Sequence, residues 1–230
     1  MLRAIILDFN GVIVNDEPHH FMAMRDVVSE FGVIITEQEY WSRYLPLDDE
    51  NCLQAICEYH SVELSDEQKE RALMHKATRY MELIGDQYPV DQGADDFVRA
   101  AAGQYPLALA SGARRDEIER TLKAANLADC FKVIVAAEDF SLGKPHPESY
   151  LLALNLLNRS LSLDSSILPE ECLVIEDAIA GVQGALAAGM KCLAVCTSYP
   201  SEKLQDADWV VPSLAGLPID SLKGIFEKNL

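Results

Sequence analysis

Four apolar runs with almost no polar alternation constrain this chain more than anything else in it: AIILD (4–8), PLALAS (106–111), FKVIVAA (131–137) and CLVIED (172–177). A strand with one wet face alternates apolar and polar residues. A strand covered on both faces does not, so these runs read as parallel strands buried between helices. A fifth run, KCLAV (191–195), and a weaker edge candidate, WVV (209–211), extend the series. Helical patterns at 114–125, 146–157 and 178–188 separate most of them. The expected fold is therefore α/β, a doubly wound parallel sheet with a Rossmann-like core.

The alternation breaks once. Between the first run and the second lie nearly a hundred residues without a convincing strand. Helical periodicity fills most of that gap, in HHFMAMRDVVSEFG, DENCLQAICEYH and SDEQKERALMHKATRYMELI, and Ser65 with Gln68 has the spacing of a capping box. This places an inserted α-helical cap domain at 17–86, with 1–16 and 87–230 forming the core. A length of 230 residues accommodates both.

Polar groups gather where the strands end. Asp8 and Asn10 follow the first run, Ser111 and Gly112 the second, Lys144 in GKPHP the third, and Glu176 with Asp177 the fourth. In an open α/β sheet the carboxyl edge is where ligands bind, because loops and helix N-termini converge there. One strand-end aspartate is commonly a helix cap. Four clusters of complementary chemistry on successive strands are harder to assign to capping. Asp8 can attack phosphorus and carry an acyl phosphate. Asp8, Glu176 and Asp177 offer hard oxygen ligands for Mg²⁺. Ser111 and the amides near Gly112 can hold phosphate oxygens, and Lys144 brings positive charge beside Asp8.

Charge sharpens this reading. The formal net charge is −18, which argues against nucleic acid or an anionic membrane as partner. An anionic substrate would need local compensation of the kind the clusters supply. The six cysteines form no CxxC pair, and Cys192 and Cys196 read as buried residues of one strand rather than metal ligands. Met-Leu-Arg-Ala leads directly into a strand-like run, and no stretch has the length and hydropathy of a membrane span, so a cytoplasmic location is expected.

The segments DFNGVIVNDEP, ASG, GKPHPESYL and VIEDAIAGVQGALAAGM match, in order and spacing, the four motifs of the haloacid dehalogenase-like hydrolases. The resemblance covers the whole chain. It is nearest to the branch of phosphoglycolate phosphatases and β-phosphoglucomutases that carry a helical cap after the first motif. The resemblance implies Asp8 as nucleophile, Ser111 and Lys144 as phosphoryl holders, Asp177 as a Mg²⁺ ligand, and Glu176 as ligand or support. It also implies the backbone carbonyl of Asn10 as a ligand. His20 and Lys76 match cap positions that face the site in the sugar-phosphate mutases; a hinge histidine and a solvated lysine are the alternative. Arg114 could meet a substrate anion or be a solvated first-turn arginine. In the loop YLPLDDENCL, Asp48 and Asp49 either select a polar, non-phosphate substrate end or cap the following helix. His146 reads as structural.

Two positions depart from the family pattern, Asn10 and Asn15, where phosphatases of this kind carry Asp. Asn10 cannot exchange protons at neutral pH, and general acid–base help is worth roughly 10²–10⁴ in rate. The expectation is a Mg²⁺-dependent phosphatase for a small phosphorylated metabolite, slowed by Asn10, acting as a monomer or weak homodimer. Its rivals are a sugar phosphomutase of the β-phosphoglucomutase kind and a catalytically weakened binding or regulatory homologue.

Overall fold

The computed structural model describes residues 1–227 apart from Pro46, Asp48, 86–88 and 162–164. In chain order β1 (Ala4–Leu7) leads to four helices, α1 (Glu17–Ser29), α2 (Glu37–Arg43), α3 (Asp49–Tyr59) and α4 (Asp66–Ile84). Then come α5 (Gln92–Ala102), β2 (Leu107–Ala110), α6 (Arg115–Ala124), β3 (Phe131–Val135) and α7 (Glu148–Ser160). The chain continues through β4 (Cys172–Glu176), α8 (Ile179–Ala187), β5 (Lys191–Val195), β6 (Trp209–Val211) and α9 (Lys223–Glu227). It divides into two compact units, one of Met1–Asn15 with Val90–Leu230 and one of Asp16–Pro89. These divides fall at 15/16 and 89/90, where the sequence reading placed them after 16 and after 86.

The first unit is a six-stranded parallel sheet in the order β3-β2-β1-β4-β5-β6. β1 is central: Ile6 lies opposite Ala108 on one side and Val174 on the other. Successive side chains point to opposite faces, and both faces are dry. Ile5, Leu7, Leu109 and Ile175 pack with Phe97 and Val98 of α5 and Ile118 of α6. Ile6, Ala108 and Val174 pack with Tyr150 and Leu157 of α7 and Val182 of α8. Helices on both faces explain the unalternating apolar runs. From β1 the chain builds β2 and β3 on one side and then crosses to lay β4, β5 and β6 on the other, so the order reverses between β1 and β4, and a crevice opens at their carboxyl ends.

The second unit is helical. Phe21, Met24 and Val27 of α1 share a core with Leu53 and Ile56 of α3, Ala72 of α4, and Tyr40 and Tyr44. Ser65 caps α4 as its spacing predicted: its hydroxyl accepts from the Gln68 amide at 3.3 Å, and the Gln68 side chain accepts from the Ser65 amide at 2.8 Å. Helix α2 was not anticipated. Seven residues are too few to show periodicity, although Thr36 caps it by accepting from the Glu39 amide at 3.1 Å. Among the described residues no helix is long and apolar enough to cross a membrane.

Small differences have local causes. The run ending at 137 stops as a strand at Val135, because Ala137–Asp139 turn into a 3₁₀ helix. The helix expected from 146 starts at Glu148, with Pro147 at its N-cap. Cys192 is buried in β5, but Cys196 lies beyond the strand and is half-buried, not a buried strand residue.

Candidate active site

Strand β1 ends and Asp8 begins the crevice. Its amide donates to the Ile175 carbonyl at 3.0 Å, extending the ladder by one residue and fixing where the carboxylate emerges. On the neighbouring strand Glu176 is the last residue of β4, and Asp177 follows it. All three carboxylates are buried, and each offers an oxygen within 4.8 Å of the other two. Lys144, on the loop before α7, reaches into the group. Its Nζ lies 2.5 Å from Asp8 Oδ1 and 2.5 Å from Glu176 Oε1.

Three buried carboxylates face one ammonium, and the proton affinities register the imbalance. Burial is the main influence on Asp8 and pushes its carboxyl up to about 6; Lys144 pulls it back while Glu176 adds to the rise. Asp177 is raised well above the ordinary carboxylate range by burial, then by Glu176 and Asp8. Burial alone would lower Lys144, but Asp8 and Glu176 outweigh it and hold the ammonium above its ordinary value. Hard oxygen donors with uncompensated negative charge suit a hard divalent cation such as Mg²⁺.

Residues that the sequence reading did not single out shape this cluster. The Tyr150 hydroxyl, on the buried face of α7, donates to Glu176 Oε1 at 2.5 Å. The other oxygen of Glu176 accepts from the Asp177 amide at 3.1 Å and the Ala178 amide at 3.3 Å. With Lys144 that makes four donors on one carboxylate, so Glu176 is held in place. Ser198, beyond β5, donates to Asp177 Oδ2. Gly11 sits at φ +73°, and a Cβ there would collide with the Asp177 carboxylate. A Cβ on Gly181 would collide with that of Glu176. Nothing in the sequence beside Tyr150, six residues after Lys144, or Ser198, just past the fifth apolar run, marks either as part of the cluster.

The remaining predicted residues fall in two places. Ser111 follows β2 and is buried; its amide donates to the Val135 carbonyl at 3.0 Å and its hydroxyl accepts from the Ala113 amide at 3.1 Å. Gly112, next to it, is exposed. Asn10 is exposed in the tight turn after β1, paired with Val14 in an isolated bridge. The Asn15 side-chain oxygen is buried without a hydrogen-bond partner. Arg114 stands at the N-cap position of α6 with no side-chain cap bond, is 75% exposed and pairs with Asp116 at 3.2 Å. His146 accepts from the Glu148 amide at 3.3 Å. His20 and Lys76 belong to the helical unit and touch each other, with Lys76 Nζ 2.6 Å from His20 Nδ1. Lys76 is not solvated: it is buried and pairs with Asp49 Oδ1 at 2.6 Å. Asp48 lies outside the described residues.

The sequence pattern of the haloacid dehalogenase-like hydrolases matches residues 2–189. The chain is 32% identical over 214 residues to Protein SUPPRESSOR OF QUENCHING 1 of Arabidopsis thaliana, covering 90% of this chain and 19% of that protein. It thus spans about a fifth of the plant relative's length. It is 31% identical over 191 residues to a phosphorylated carbohydrates phosphatase of Thermotoga maritima, covering 83% of each chain. The solved structure of a β-phosphoglucomutase from Clostridium difficile superposes with a TM-score of 0.68 at 26% identity, covering 99% of this chain and 98% of that one.

Proposed function

This chain belongs to the haloacid dehalogenase-like hydrolases, and from that premise we propose that it removes phosphate from a small phosphorylated metabolite through a covalent intermediate on Asp8. One observation carries the reading: a buried strand-end carboxylate, Asp8, held by the Lys144 ammonium at 2.5 Å beside two further buried carboxylates. An Asp8 oxygen attacks phosphorus, the bond to the leaving oxygen breaks, and an aspartyl phosphate forms. Lys144 supplies positive charge where negative charge accumulates on the phosphoryl oxygens. The leaving oxygen takes its proton from solvent, because Asn10 has none to give. A water then attacks phosphorus, the acyl phosphate bond to Asp8 breaks, and inorganic phosphate leaves. Asp8, Glu176 and Asp177, with the Asn10 backbone carbonyl, are the groups that would hold Mg²⁺, which would offset part of the negative charge of cluster and phosphate. Ser111 and the Gly112 amide complete the phosphate seat.

The test is a screen of phosphorylated metabolites with Mg²⁺, scored for released phosphate, with Asp8→Asn as control. Release of phosphate that disappears in the variant supports the reading. Isomer interconversion without phosphate release would assign a phosphomutase instead. Mg²⁺ binding with neither reaction on any substrate would assign a binding protein.

A further inference from the structure

Lys144 stands on the loop between β3 and α7, residues 136–147, and its place depends on what holds that loop. The first half is tied to its surroundings. The Ala137 amide donates to the Ala113 carbonyl at 3.0 Å. The Ala136 amide donates to Asp139 Oδ2 at 2.8 Å, an oxygen that also takes the Arg115 guanidinium at 2.5 Å. The second half lacks such anchors. Ser141, Leu142 and Gly143 are exposed, Leu142 at 52%, so no buried side chain fixes the three residues before the lysine. The His146 amide donates to the Gly143 carbonyl at 3.0 Å, which shapes the turn around Lys144 but ties it to nothing else. Among the described residues one carboxylate does tie it. Glu148, the first residue of α7, reaches back and accepts from the Ser141 amide with Oε1 and from the Leu142 amide with Oε2, each at 3.0 Å. Two residues further along α7, the Tyr150 hydroxyl holds Glu176 Oε1 at 2.5 Å. The start of α7 therefore sets both ends of the pair between Lys144 and Glu176, the loop through Glu148 and the carboxylate through Tyr150.

We propose that Glu148 is a positioning residue: by holding the Ser141 and Leu142 amides it keeps the Lys144 ammonium on Asp8, and it rests on the phosphatase reading only in what Lys144 does there. Hydrogen bonds from backbone amides to an ionised carboxylate are roughly twice as strong as neutral ones. The carboxylate is carried by a helix, so the loop is held against a rigid element and the charge stays aimed at the transferring group. A carboxylate at a helix start also favours the helix through its dipole. That role alone predicts a loss of stability and no change specific to Lys144, so the two roles part at the lysine.

The experiment compares wild type, Glu148→Ala and Glu148→Gln as full chains with Mg²⁺. Brief acetylation with acetic anhydride, read by peptide mass spectrometry, gives the accessibility of each lysine without any turnover. In Glu148→Ala, Lys144 should label at least about tenfold faster than in wild type, the low end for a lost hydrogen bond to a charged group. Lys123, Lys132 and Lys191 should keep their rates. Glu148→Gln, which retains one acceptor oxygen, should lie between. On an ester that the wild type hydrolyses, kcat should fall about tenfold in Glu148→Ala. The same substitution made in Lys144→Met should cost under about twofold, because the lysine it acts through is gone. Lys144 labelling at the wild-type rate, a rise at every lysine alike, or an equal kcat loss with and without Lys144 overturns the proposal. Selective exposure of Lys144 in Glu148→Ala, when the wild type releases phosphate from no substrate, supports the hold on the loop and removes the phosphatase reading instead.

Discussion

Lys144 serves two carboxylates at once: its Nζ lies 2.5 Å from Asp8 Oδ1 and 2.5 Å from Glu176 Oε1. Glu176 is held in turn by the Tyr150 hydroxyl and two backbone amides, so the lysine is positioned from behind. Lys144→Met should leave both carboxylates buried without their cation. Breaking such a buried pair from one side costs about 3–5 kcal/mol, and losing a charge aimed at the transferring group costs about 10²–10³ in kcat. Urea unfolding and phosphate release on the same preparation check both. A variant near wild type in each would show that Lys144 is a bystander.

Metal affinity should depend on pH around Asp8. Its carboxyl is pushed up to about 6 and that of Asp177 also lies above the ordinary range. Protons therefore compete with Mg²⁺, and affinity should strengthen as pH rises from 5 to about 7.5, since metal ligands must shed their protons. Calorimetric titration across that range reads it directly, and a flat dependence would contradict the cluster as the metal site.

Stability without metal should run the other way. A carboxyl whose folded value is raised binds its proton more tightly folded than unfolded, so the metal-free protein loses stability as pH rises through the window from about 4 to 6. For Asp8 alone the span is on the order of 3 kcal/mol, at ~1.36 kcal/mol per unit. Thermal unfolding in EDTA should show Tm falling over that window, and excess Mg²⁺ should restore it at neutral pH. A Tm that rises from pH 4 to 6 in EDTA would show that other carboxylates outweigh this cluster.

Gly11→Ala should weaken Mg²⁺ binding by about tenfold and cost more than about 1 kcal/mol of stability. The backbone there has φ +73°, and the new methyl would enter the space of the Asp177 carboxylate. The pairing of an affinity loss with a Tm loss is the signature, and unchanged Mg²⁺ affinity would show that Asp177 need not hold its present position.

Much of the core was legible because burial on both faces leaves a crude, robust mark: six apolar runs became six strands, each within two residues of its expected ends. Asp8, Lys144, Glu176 and Asp177 were legible because strand ends and their loops are short and local. Tyr150 and Ser198 were not. They meet Glu176 and Asp177 across 26 and 21 residues of chain, and nothing in PESYL or TSYP records what lies on the far side of the packing. Lys76 was read as site-facing from its match to a cap position, with a solvated lysine as the alternative; only the packing around α4 reveals that Asp49 and His20 enclose it. Helix α2 escaped because about two turns of sequence are too short to show a period.

Asn10→Asp tests why the site carries an amide in its first turn. The variant is close to isosteric and restores a group able to protonate the leaving oxygen and activate water. At saturating Mg²⁺ it should raise turnover of alkyl phosphates by at least about tenfold, a conservative share of the ~10²–10⁴ that a positioned acid–base supplies. Aryl phosphates should gain less, because their leaving group needs little protonation. Unchanged or lower alkyl turnover would mean that another group already supplies the proton.

Trapping the phosphoryl group is the most direct test of the account. With no proton-exchanging group at position 10, hydrolysis of the aspartyl phosphate should lag its formation, so the intermediate should accumulate. The protein is incubated with Mg²⁺ and acetyl phosphate, quenched in acid, digested and read by mass spectrometry. One phosphoryl group on the peptide that contains Asp8, removed by hydroxylamine and missing from Asp8→Asn, is the predicted result. Phosphate released on multiple turnovers with no phosphoryl group on that peptide, or with the label on another residue, would contradict it.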